Sequence, residues 1–333
     1  MTTSPEEIER AVAVLRAGGL VAFPTETVYG LGADAANPTA VRRVFEVKGR
    51  PATHPLIVHL GSAAALDHWA VDVPPAARLL AEACWPGPLT VLLRRSPSVP
   101  DVVTGGRDTV GLRVPAHPLA LALLERFSGG IAAPSANRFG RVSPTTAADV
   151  QADLGSDVDL VLDGGPCQVG VESTIVDLTG GEPEVLRPGG VSFERLEEVL
   201  GRPVGLWLGD RDVAAPGTLP AHYAPAARVE VLDEVSAVAE RAAQLLVAGR
   251  RVAVLAPVAL AGLPDGVVEL EPAGGPESYA RVLYGRLRQA DRLGVEVVLA
   301  VPPERVGVGV AVRDRLMRAA AAGRAAPGHG SST

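Results

Sequence analysis

The sequence predicts an α/β protein of two domains joined by a linker, and three observations lead to this prediction. Short apolar runs rich in β-branched residues alternate with helical patterns up to residue 202. Over residues 203–227, periodic apolar positions become rare and several prolines interrupt the chain. From residue 228, strand and helix patterns alternate regularly, which is typical of a small parallel sheet flanked by helices. We therefore predict domains at residues 1–202 and 228–322, a linker at 203–227 and a disordered tail at 323–333.

Each predicted element rests on a local pattern. In the first domain, apolar runs of strand length are found at residues 20–23, 55–60, 89–94, 110–114, 131–134, 160–163, 172–177 and 184–187. Helical patterns follow Ser4 and Asn37 and recur at residues 62–70, 74–84, 118–127, 143–154 and 192–200. In the second domain, strands are predicted at 229–232, 251–256 and 295–301, and helices at 235–248, 277–292 and 308–322.

The amino-acid composition narrows the class of protein. The 333 residues are 47% hydrophobic with a mean hydropathy of +0.22, which is enough to build full cores. A net charge of −7 argues against a broad nucleic-acid-binding surface, although a local basic pocket is compatible with it. The two cysteines, Cys84 and Cys167, are too few for a disulfide framework and lack metal-ligand spacing, so we expect buried free thiols.

The first residues predict a helix, and no run predicts a membrane span. Ser4 and Glu7 can form a capping box around Pro5, and neither the basic nor the apolar region of a signal peptide is present. No apolar run approaches the length that a membrane span needs. We therefore expect a soluble, cytoplasmic protein.

A loop rich in hydroxyls and glycines is predicted after the first strand. Its sequence is Pro-Thr-Glu-Thr-Val-Tyr-Gly-Leu-Gly, residues 24–32. Loops at the carboxyl ends of parallel strands are where α/β sheets place their ligands. The helix that follows has Asn37 as its N-cap and ends at Gly49, so Lys48 and Arg50 are expected beside this loop.

Lys48 is the only lysine in a chain with 31 lysines and arginines. The use of lysine at this one position indicates a need for a compact ammonium charge rather than a planar guanidinium. Alternatively, Lys48 only complements the dipole at the C-terminal end of its helix. The surrounding motif favours the first interpretation.

Hydroxyl, amide and cationic side chains collect at the predicted strand ends of the first domain. They are Thr25, Thr27, Lys48, Arg50, Arg113, Ser135, Asn137, Ser143, Ser173, Thr174 and Arg187. Ser143 is predicted to open a helix whose amides favour an anion, and Arg113 could hold a carboxylate through two N–H groups. With no Ser-His-Asp arrangement, paired carboxylates or metal-spaced cluster, catalysis would work by placing charged reactants together and stabilising charge on a phosphate.

These residues also have simpler interpretations. Arg113 could pair with Asp108 or Glu125 at the surface. Ser143 could do no more than cap its helix, and residues 135–137 could form a plain turn. The histidines of the first domain, taken one by one, are predicted to be structural or solvated: His54, His59, His68 and His117.

Several ordered motifs nevertheless resemble one family, the YrdC-type threonylcarbamoyl-AMP synthases. The motifs are Phe23-Pro24-Thr25-Glu26-Thr27-Val28-Tyr29-Gly30-Leu31-Gly32, Lys48-Gly49-Arg50-Pro51, Pro55-Leu56-Ile57-Val58-His59, Trp85-Pro86-Gly87-Pro88-Leu89-Thr90, Arg113-Val114-Pro115, Pro134-Ser135-Ala136-Asn137, Val171-Glu172-Ser173-Thr174-Ile175 and Leu186-Arg187-Pro188-Gly189. Residues 203–322 resemble the linker and C-terminal domain of the family's long form. The resemblance implies a YrdC-like first domain, which is a twisted, open mixed sheet with helices and a concave pocket, and a Rossmann-like parallel α/β second domain.

The resemblance also implies a reaction. L-threonine, bicarbonate and ATP with magnesium would give L-threonylcarbamoyladenylate, pyrophosphate and water; with CO2 in place of bicarbonate, no water would form. The product would pass to a complex that transfers the threonylcarbamoyl group to a tRNA adenosine next to the anticodon. The oligomeric state and the identity of that complex are not implied.

Residue roles follow from matching the family's motifs. Threonine would contact Thr25, His59, Arg113, Ala133 and Ser173, with Arg113 on its carboxylate. The nucleotide would contact Lys48, Arg50, Thr109, Ser135, Asn137, Ser143, Arg187 and Tyr223, and Lys48 and Arg50 would also serve catalysis. No residue is assigned as a metal ligand.

The linker departs from the family pattern. After Pro216-Gly217 it lacks the methionine and the basic residue usual in the family, although His222-Tyr223-Ala224-Pro225 is kept. We expect this segment to act as a lid, with His222 or Tyr223 reaching the nucleotide. Two other functions stay open at this point. One is a YrdC-like module that binds double-stranded RNA without catalysis, and the other is a carbamoyl-transferring relative, which the absence of zinc-finger cysteines disfavours.

Overall fold

A mixed sheet of ten strands organises the first of two units in the computed structural model, which describes residues 4–207, 209 and 222–325. Of the described residues, 4–139 and 143–209 belong to the first unit, with the gap just given. Residues 140–142 and 222–325 belong to the second unit. Three residues that the chain order places inside the first domain therefore group with the C-terminal part.

The first unit alternates strands and helices along the chain. Its strands are β1 (Val21–Phe23), β2 (Gly30–Asp34), β3 (Ile57–His59), β4 (Leu89–Arg94), β5 (Thr109–Arg113), β6 (Ile131–Ala132), β7 (Leu160–Val161), β8 (Thr174–Asp177), β9 (Glu184–Arg187) and β10 (Gly205–Leu206). Its α-helices are α1 (Pro5–Arg16), α2 (Pro38–Lys48), α3 (Leu66–Trp69), α4 (Pro75–Cys84), α5 (Asp101–Thr104), α6 (Pro118–Phe127), α7 (Ala147–Leu154) and α8 (Phe193–Leu200).

The strand order across the sheet is β10-β9-β8-β4-β5-β3-β6-β2-β1-β7. The pairs β4 with β8, β3 with β5, β1 with β7 and β9 with β10 are parallel, and the other neighbours are antiparallel. In the parallel pair of β3 and β5, His59 lies level with Arg113. The sheet therefore brings together residues that are far apart in the sequence.

Local sequence explains how the first helices begin and end. In α1, Ser4 and Glu7 form the predicted capping box. In α2, the Asn37 side chain accepts hydrogen bonds from two backbone amides of the first turn, and Gly49 ends the helix in the left-handed conformation. These contacts confirm the predicted bounds of α2 and place Lys48 at its last position.

One strand of the first domain was not predicted. Residues 30–34, which the sequence assigned largely to a loop because of their glycines, form β2 and pair antiparallel with β1. A Cβ atom on Gly32 would lie 2.7 Å from Ile131 Cγ2 and 2.8 Å from a ring carbon of Phe23. The glycine is therefore needed for close packing across the sheet rather than for a turn.

The start of α7 corrects another prediction. The sequence placed the helix N-cap at Ser143, but α7 begins at Ala147 with Thr146 as its N-cap and Asp149 completing a capping box. The carbonyl of Pro144 instead accepts a hydrogen bond from Tyr29 N at 2.9 Å, outside any helix. Ser143 therefore offers no helix N-terminus to an anion.

The second unit contains a parallel sheet of four strands. Its elements are β11 (Arg228–Val231), α9 (Ser236–Val247), β12 (Val252–Leu255), β13 (Val268–Glu269), α10 (Pro276–Arg292), β14 (Val297–Ala300) and α11 (Gly309–Ala325). The strand order is β11-β14-β12-β13. The α9 side chains Val238, Ala242 and Leu245 share a core with β12 and β14. The predicted alternation of strands and helices is confirmed here.

The predicted linker and tail fall largely on residues that are not described. The short strand β10 lies inside the predicted linker, while residues 208 and 210–221 lie outside the described part of the chain. Helix α11 continues to Ala325, past the predicted start of the tail, and residues 326–333 lie outside the description. Among the helices that are described, none combines the length and the apolar character required to cross a lipid bilayer.

The tight packing of the Gly189 backbone gives a first test. A Cβ atom there would lie 2.2 Å from Thr174 N and 2.3 Å from Ser173 C. We expect Gly189→Ala to lower the free energy of unfolding by about 1–3 kcal/mol, because overpacking forces the backbone to shift. Gly181→Ala is the matched control, since nothing lies within 4 Å of a Cβ atom at that position. Urea unfolding of both variants measures the difference, and equal stabilities would contradict the packing described here.

Candidate active site

Arg113 lies at the carboxyl end of β5 and is the centre of the first group of buried polar side chains. Its Nη2 donates to Glu26 Oε1 at 2.7 Å and to Thr27 Oγ1 at 2.9 Å. Its Nε donates to the carbonyl of Gly87 at 3.3 Å. The second Glu26 oxygen accepts from Ala116 N at 2.9 Å. These bonds fix the guanidinium plane and leave the Nη1 side for a ligand.

The partner of Arg113 differs from the alternative that the sequence suggested. Asp108 and Glu125, the two surface carboxylates considered above, are both exposed and do not pair with it. Glu26 does, and it is buried together with Arg113. The ion pair therefore lies inside the site rather than at the surface.

Thr25 and Thr27 extend this group through a chain of hydroxyls. The Thr25 hydroxyl donates to the carbonyl of Val28 at 2.6 Å, so Thr27 must be the donor in the 2.8 Å bond between the two threonines. Thr27 in turn accepts from Arg113. Donors and acceptors are thus ordered from the guanidinium to the backbone, and the Thr25 hydroxyl is used within the protein.

His59 is buried beside Arg113 and faces the edge of Phe23, with ring centroids 5.8 Å apart. Burial, with a smaller effect of the Arg113 charge, lowers the pKa of His59 to about 3. The imidazole is therefore neutral at physiological pH. Its Nδ1 atom has no hydrogen-bond partner among the described residues, which leaves a polar atom for a ligand.

Ser173 and Arg187 meet where β8 begins and β9 ends. Arg187 Nη2 donates to the Ser173 carbonyl at 2.8 Å and to its Oγ at 3.0 Å. The Ser173 hydroxyl also lies 2.8 Å from Thr90 Oγ1 on β4. Ala133, a further predicted threonine contact, is buried next to β3 and donates from its backbone amide to Ile57 at 2.9 Å. The structure thus places Ser173 and Arg187, which were predicted to contact different substrates, in direct contact.

Lys48 is the centre of a second group. Its Nζ atom donates to the carbonyls of Ser135 and Asn137, each at 2.5 Å. Burial lowers the pKa of Lys48 well below its usual value, and the neighbouring Arg50 charge lowers it further. A bound polyanion would favour the charged form, so this position is suited to a phosphate group. Residues 135–137, for which the sequence suggested either a plain turn or ligand contacts, are thus the segment that Lys48 holds.

Arg50 and Thr109 lie towards the amino ends of β3 and β5. Arg50 donates to the carbonyl of Pro55 at 3.0 Å, and its guanidinium lies 5.9 Å from the ring centroid of Phe139. Ile57 pairs with Gly111, so Pro55 and Thr109 each precede that pair by two residues. Thr109 is therefore about 13 Å along β5 from Arg113. Strand β5 therefore separates the group around Arg113 from the group around Lys48.

Ser143 belongs to neither group in the way predicted. Its hydroxyl donates to Glu172 Oε1 at 2.7 Å, and both residues are buried. The adjacent backbone is constrained, since Gly190 N donates to the Glu172 carbonyl at 3.2 Å. Ser143 thus stands beside the Glu172–Ser173 segment rather than at a helix start.

Tyr223 is the predicted site residue that belongs to the second unit. There its ring is 1% exposed, stacks on Tyr284 at 5.9 Å and lies 4.9 Å from the Arg315 guanidinium. His222 packs on it edge to face at 4.2 Å. The contact of Tyr223 with a nucleotide stays a prediction.

Sequence reasoning missed four polar residues of these groups, namely Glu26, Thr27 as a partner of Arg113, Thr90 and Glu172. All four are inside or next to motifs that were recognised, and all are buried. Their position in those motifs was the available signal. In the described ranges, no three His, Cys, Asp or Glu side chains come together as metal ligands would.

The depressed pKa of His59 gives a test on stability. The unfolded chain protonates this histidine near pH 6.5, whereas the folded protein keeps it neutral down to about 3. Between pH 7.5 and 5.0, the wild type should therefore lose about 2 kcal/mol more unfolding free energy than His59→Asn. Urea unfolding at both pH values measures this, with His68→Asn at an exposed position as the control. Identical losses in wild type and His59→Asn would exclude a buried neutral imidazole.

Comparison with known proteins agrees with this architecture over nearly the whole chain. A Sua5, YciO and YrdC family model described as telomere recombination matches residues 13–189. A second model, described as the C-terminal domain of threonylcarbamoyl-AMP synthase, matches residues 191–321. Together the two models match residues 13–189 and 191–321 of the chain.

Individual relatives are similar over the same extent. The threonylcarbamoyl-AMP synthase of Pyrococcus abyssi is 44% identical over 322 residues, with 94% of each chain covered. That of Bacillus subtilis is 40% identical over 334 residues, with 96% of this chain and 94% of the relative covered. The crystal structure of P. abyssi Sua5 complexed with L-threonine has a TM-score of 0.90 at 42% identity and covers 97% of this chain and 96% of that one. The chain therefore belongs to the threonylcarbamoyl-AMP synthase family, in its two-domain form.

Proposed function

We propose that this protein is an L-threonylcarbamoyladenylate synthase. The observation that carries the proposal is the pair of buried polar groups at opposite ends of β3 and β5, one around Arg113 and His59 and the other around Lys48 and Arg50. The first group suits an amino acid and the second suits a polyphosphate. Membership in the synthase family supports the same assignment.

Threonine would bind at the Arg113 group. The free Nη1 side of Arg113 would hold the carboxylate, and the neutral His59 ring would offer its unpartnered nitrogen without adding charge. The proposed contacts are Thr25, His59, Arg113, Ala133 and Ser173. The crystal structure of P. abyssi Sua5 complexed with L-threonine supports threonine as a ligand of this family.

ATP would bind across the second group. The ammonium of Lys48 keeps one N–H beyond its two carbonyl bonds, and this donor would reach a phosphate oxygen. The proposed nucleotide contacts are Lys48, Arg50, Thr109, Ser135, Asn137, Ser143, Arg187 and Tyr223. Magnesium would come with the triphosphate, because this ion is commonly held through substrate phosphates.

The reaction would proceed in two steps. The threonine amine would attack CO2, or bicarbonate with loss of water, and give a carbamate. A carbamate oxygen would then attack the α-phosphorus of ATP and expel pyrophosphate. Lys48 and Arg50 would stabilise the charge that builds on the phosphates, and the buried site would keep water from the labile carbamate.

The product would pass to a complex that transfers the threonylcarbamoyl group to tRNA. A module that only binds double-stranded RNA is disfavoured, since the homologues are synthases and the net charge is −7. RNA binding that weakens steeply with salt would be the mark of such a module.

The decisive assay is pyrophosphate release from ATP and magnesium, with threonine and bicarbonate each present or omitted. We expect release only when both are present, and weaker release with serine in place of threonine. ATP hydrolysis at the same rate with and without threonine would contradict the synthase assignment. RNA binding without pyrophosphate release would contradict it as well.

Lys48 provides the matching variant. We expect Lys48→Met to lower pyrophosphate release at least about 100-fold, because the variant loses the buried charge at the phosphates and the bonds that hold residues 135–137. Arg42→Met is the control, since Arg42 is an exposed cation on the same helix. Undiminished release by Lys48→Met would remove Lys48 from the mechanism.

A further inference from the structure

Two buried glutamates of the first unit have no role in the mechanism above. Glu26 is 7% exposed and Glu172 is 6% exposed. Burying a carboxylate is costly unless its oxygens are satisfied, so both positions need an explanation. We propose that they are positioning residues, one for each substrate: Glu26 orients Arg113 for the threonine carboxylate, and Glu172 orients the Ser143 hydroxyl for the nucleotide. This inference rests on the proposed function.

Glu26 is held between two donors and has no oxygen to spare. Oε1 accepts from Arg113 Nη2 at 2.7 Å, and Oε2 accepts from Ala116 N at 2.9 Å. The carboxylate is thus tied to the backbone on one side and sets the guanidinium plane on the other. A ligand carboxylate meets only the remaining Nη1 side, in one orientation.

The charge of Glu26 matters as well as its geometry. Arg113 and Glu26 cancel each other in a buried place, so the site does not attract anions by net charge alone. Affinity for the threonine carboxylate then depends on the direction of the N–H groups. A substitution that reorients the guanidinium should weaken threonine binding and leave ATP binding unchanged.

Glu172 accepts a hydrogen bond from a hydroxyl. Ser143 Oγ donates its one proton to Glu172 Oε1 at 2.7 Å, so only the lone pairs of that oxygen remain for a ligand. Ser143 therefore acts as an acceptor towards a ligand, which suits a donor group of the nucleotide such as a ribose hydroxyl. The Glu172 backbone packs closely against Gly189. A Cβ atom at position 189 would lie only 2.4 Å from the Glu172 carbonyl oxygen.

The experiment compares the two glutamates in the pyrophosphate-release assay, with KM measured separately for threonine and ATP. For Glu26 the test variant is Glu26→Gln, since an amide has one acceptor oxygen where two are needed. For Glu172 it is Glu172→Met, which keeps the volume and removes the acceptor, while Glu172→Gln keeps an acceptor for Ser143. Thermal unfolding of each variant is recorded in parallel.

We expect a double dissociation. Glu26→Gln should raise KM for threonine about tenfold or more and leave KM for ATP unchanged, because a charge-assisted bond is lost. Glu172→Met should raise KM for ATP by a similar factor and leave KM for threonine unchanged, and Glu172→Gln should restore the wild-type value. Glu125→Gln, an exposed carboxylate of the same unit, should change neither constant.

Other outcomes would overturn the proposal. If each variant shifts both KM values together, or neither, the glutamates serve only the fold. If Glu26→Gln does not fold, Glu26→Asp replaces it, and an unchanged KM for threonine rejects the role of Glu26. If Glu172→Met does not fold, Glu172→Leu, which also lacks an acceptor, replaces it, and an unchanged KM for ATP rejects the role of Glu172. If the wild-type protein shows no threonine-dependent pyrophosphate release, the proposed function itself is rejected. That conclusion does not require the variants.

Discussion

The buried ammonium of Lys48 is the constraint on which the proposed nucleotide end of the site depends. It holds the carbonyls of Ser135 and Asn137 at 2.5 Å, and so ties the end of α2 to the chain that leaves β6. A cation in this place is destabilised by burial, as its lowered pKa indicates. Burial of this cation therefore destabilises the free protein, and a bound polyanion would reduce that destabilisation.

The amino-acid end is built by the opposite means. Arg113 has its charge cancelled by Glu26, and Thr25 and Thr27 pass one ordered line of hydrogen bonds from the guanidinium to the backbone. Such groups are already aligned before a reactant arrives, which is the usual source of electrostatic stabilisation in enzymes. The cations Lys48 and Arg50 at one end suit a polyanion, and the paired charges of Arg113 and Glu26 at the other end suit a zwitterion.

Much of this could be predicted from local sequence, because helix caps act over a few residues, as Asn37 does at α2. The fold class and the family were also accessible, since their motifs are contiguous. What failed depended on distant packing. Gly32 was assigned to a loop, yet it makes room for Phe23. Ser143 was assigned to a helix start, yet its hydroxyl is taken by a carboxylate from another segment, Glu172. Side-chain partners across a sheet have no fixed spacing in sequence.

The strand order of the first unit also has a consequence for how the protein is made. Strand β4 pairs with β5, which follows it closely, and with β8, which the ribosome adds much later. Until β8 emerges, a nascent chain carries an apolar strand with one open edge, the kind of edge that invites pairing with other chains. The proposed threonine end of the site is incomplete during that interval, since Ser173 precedes β8 directly. A product truncated ahead of Ser173 would therefore lack one of the proposed threonine contacts.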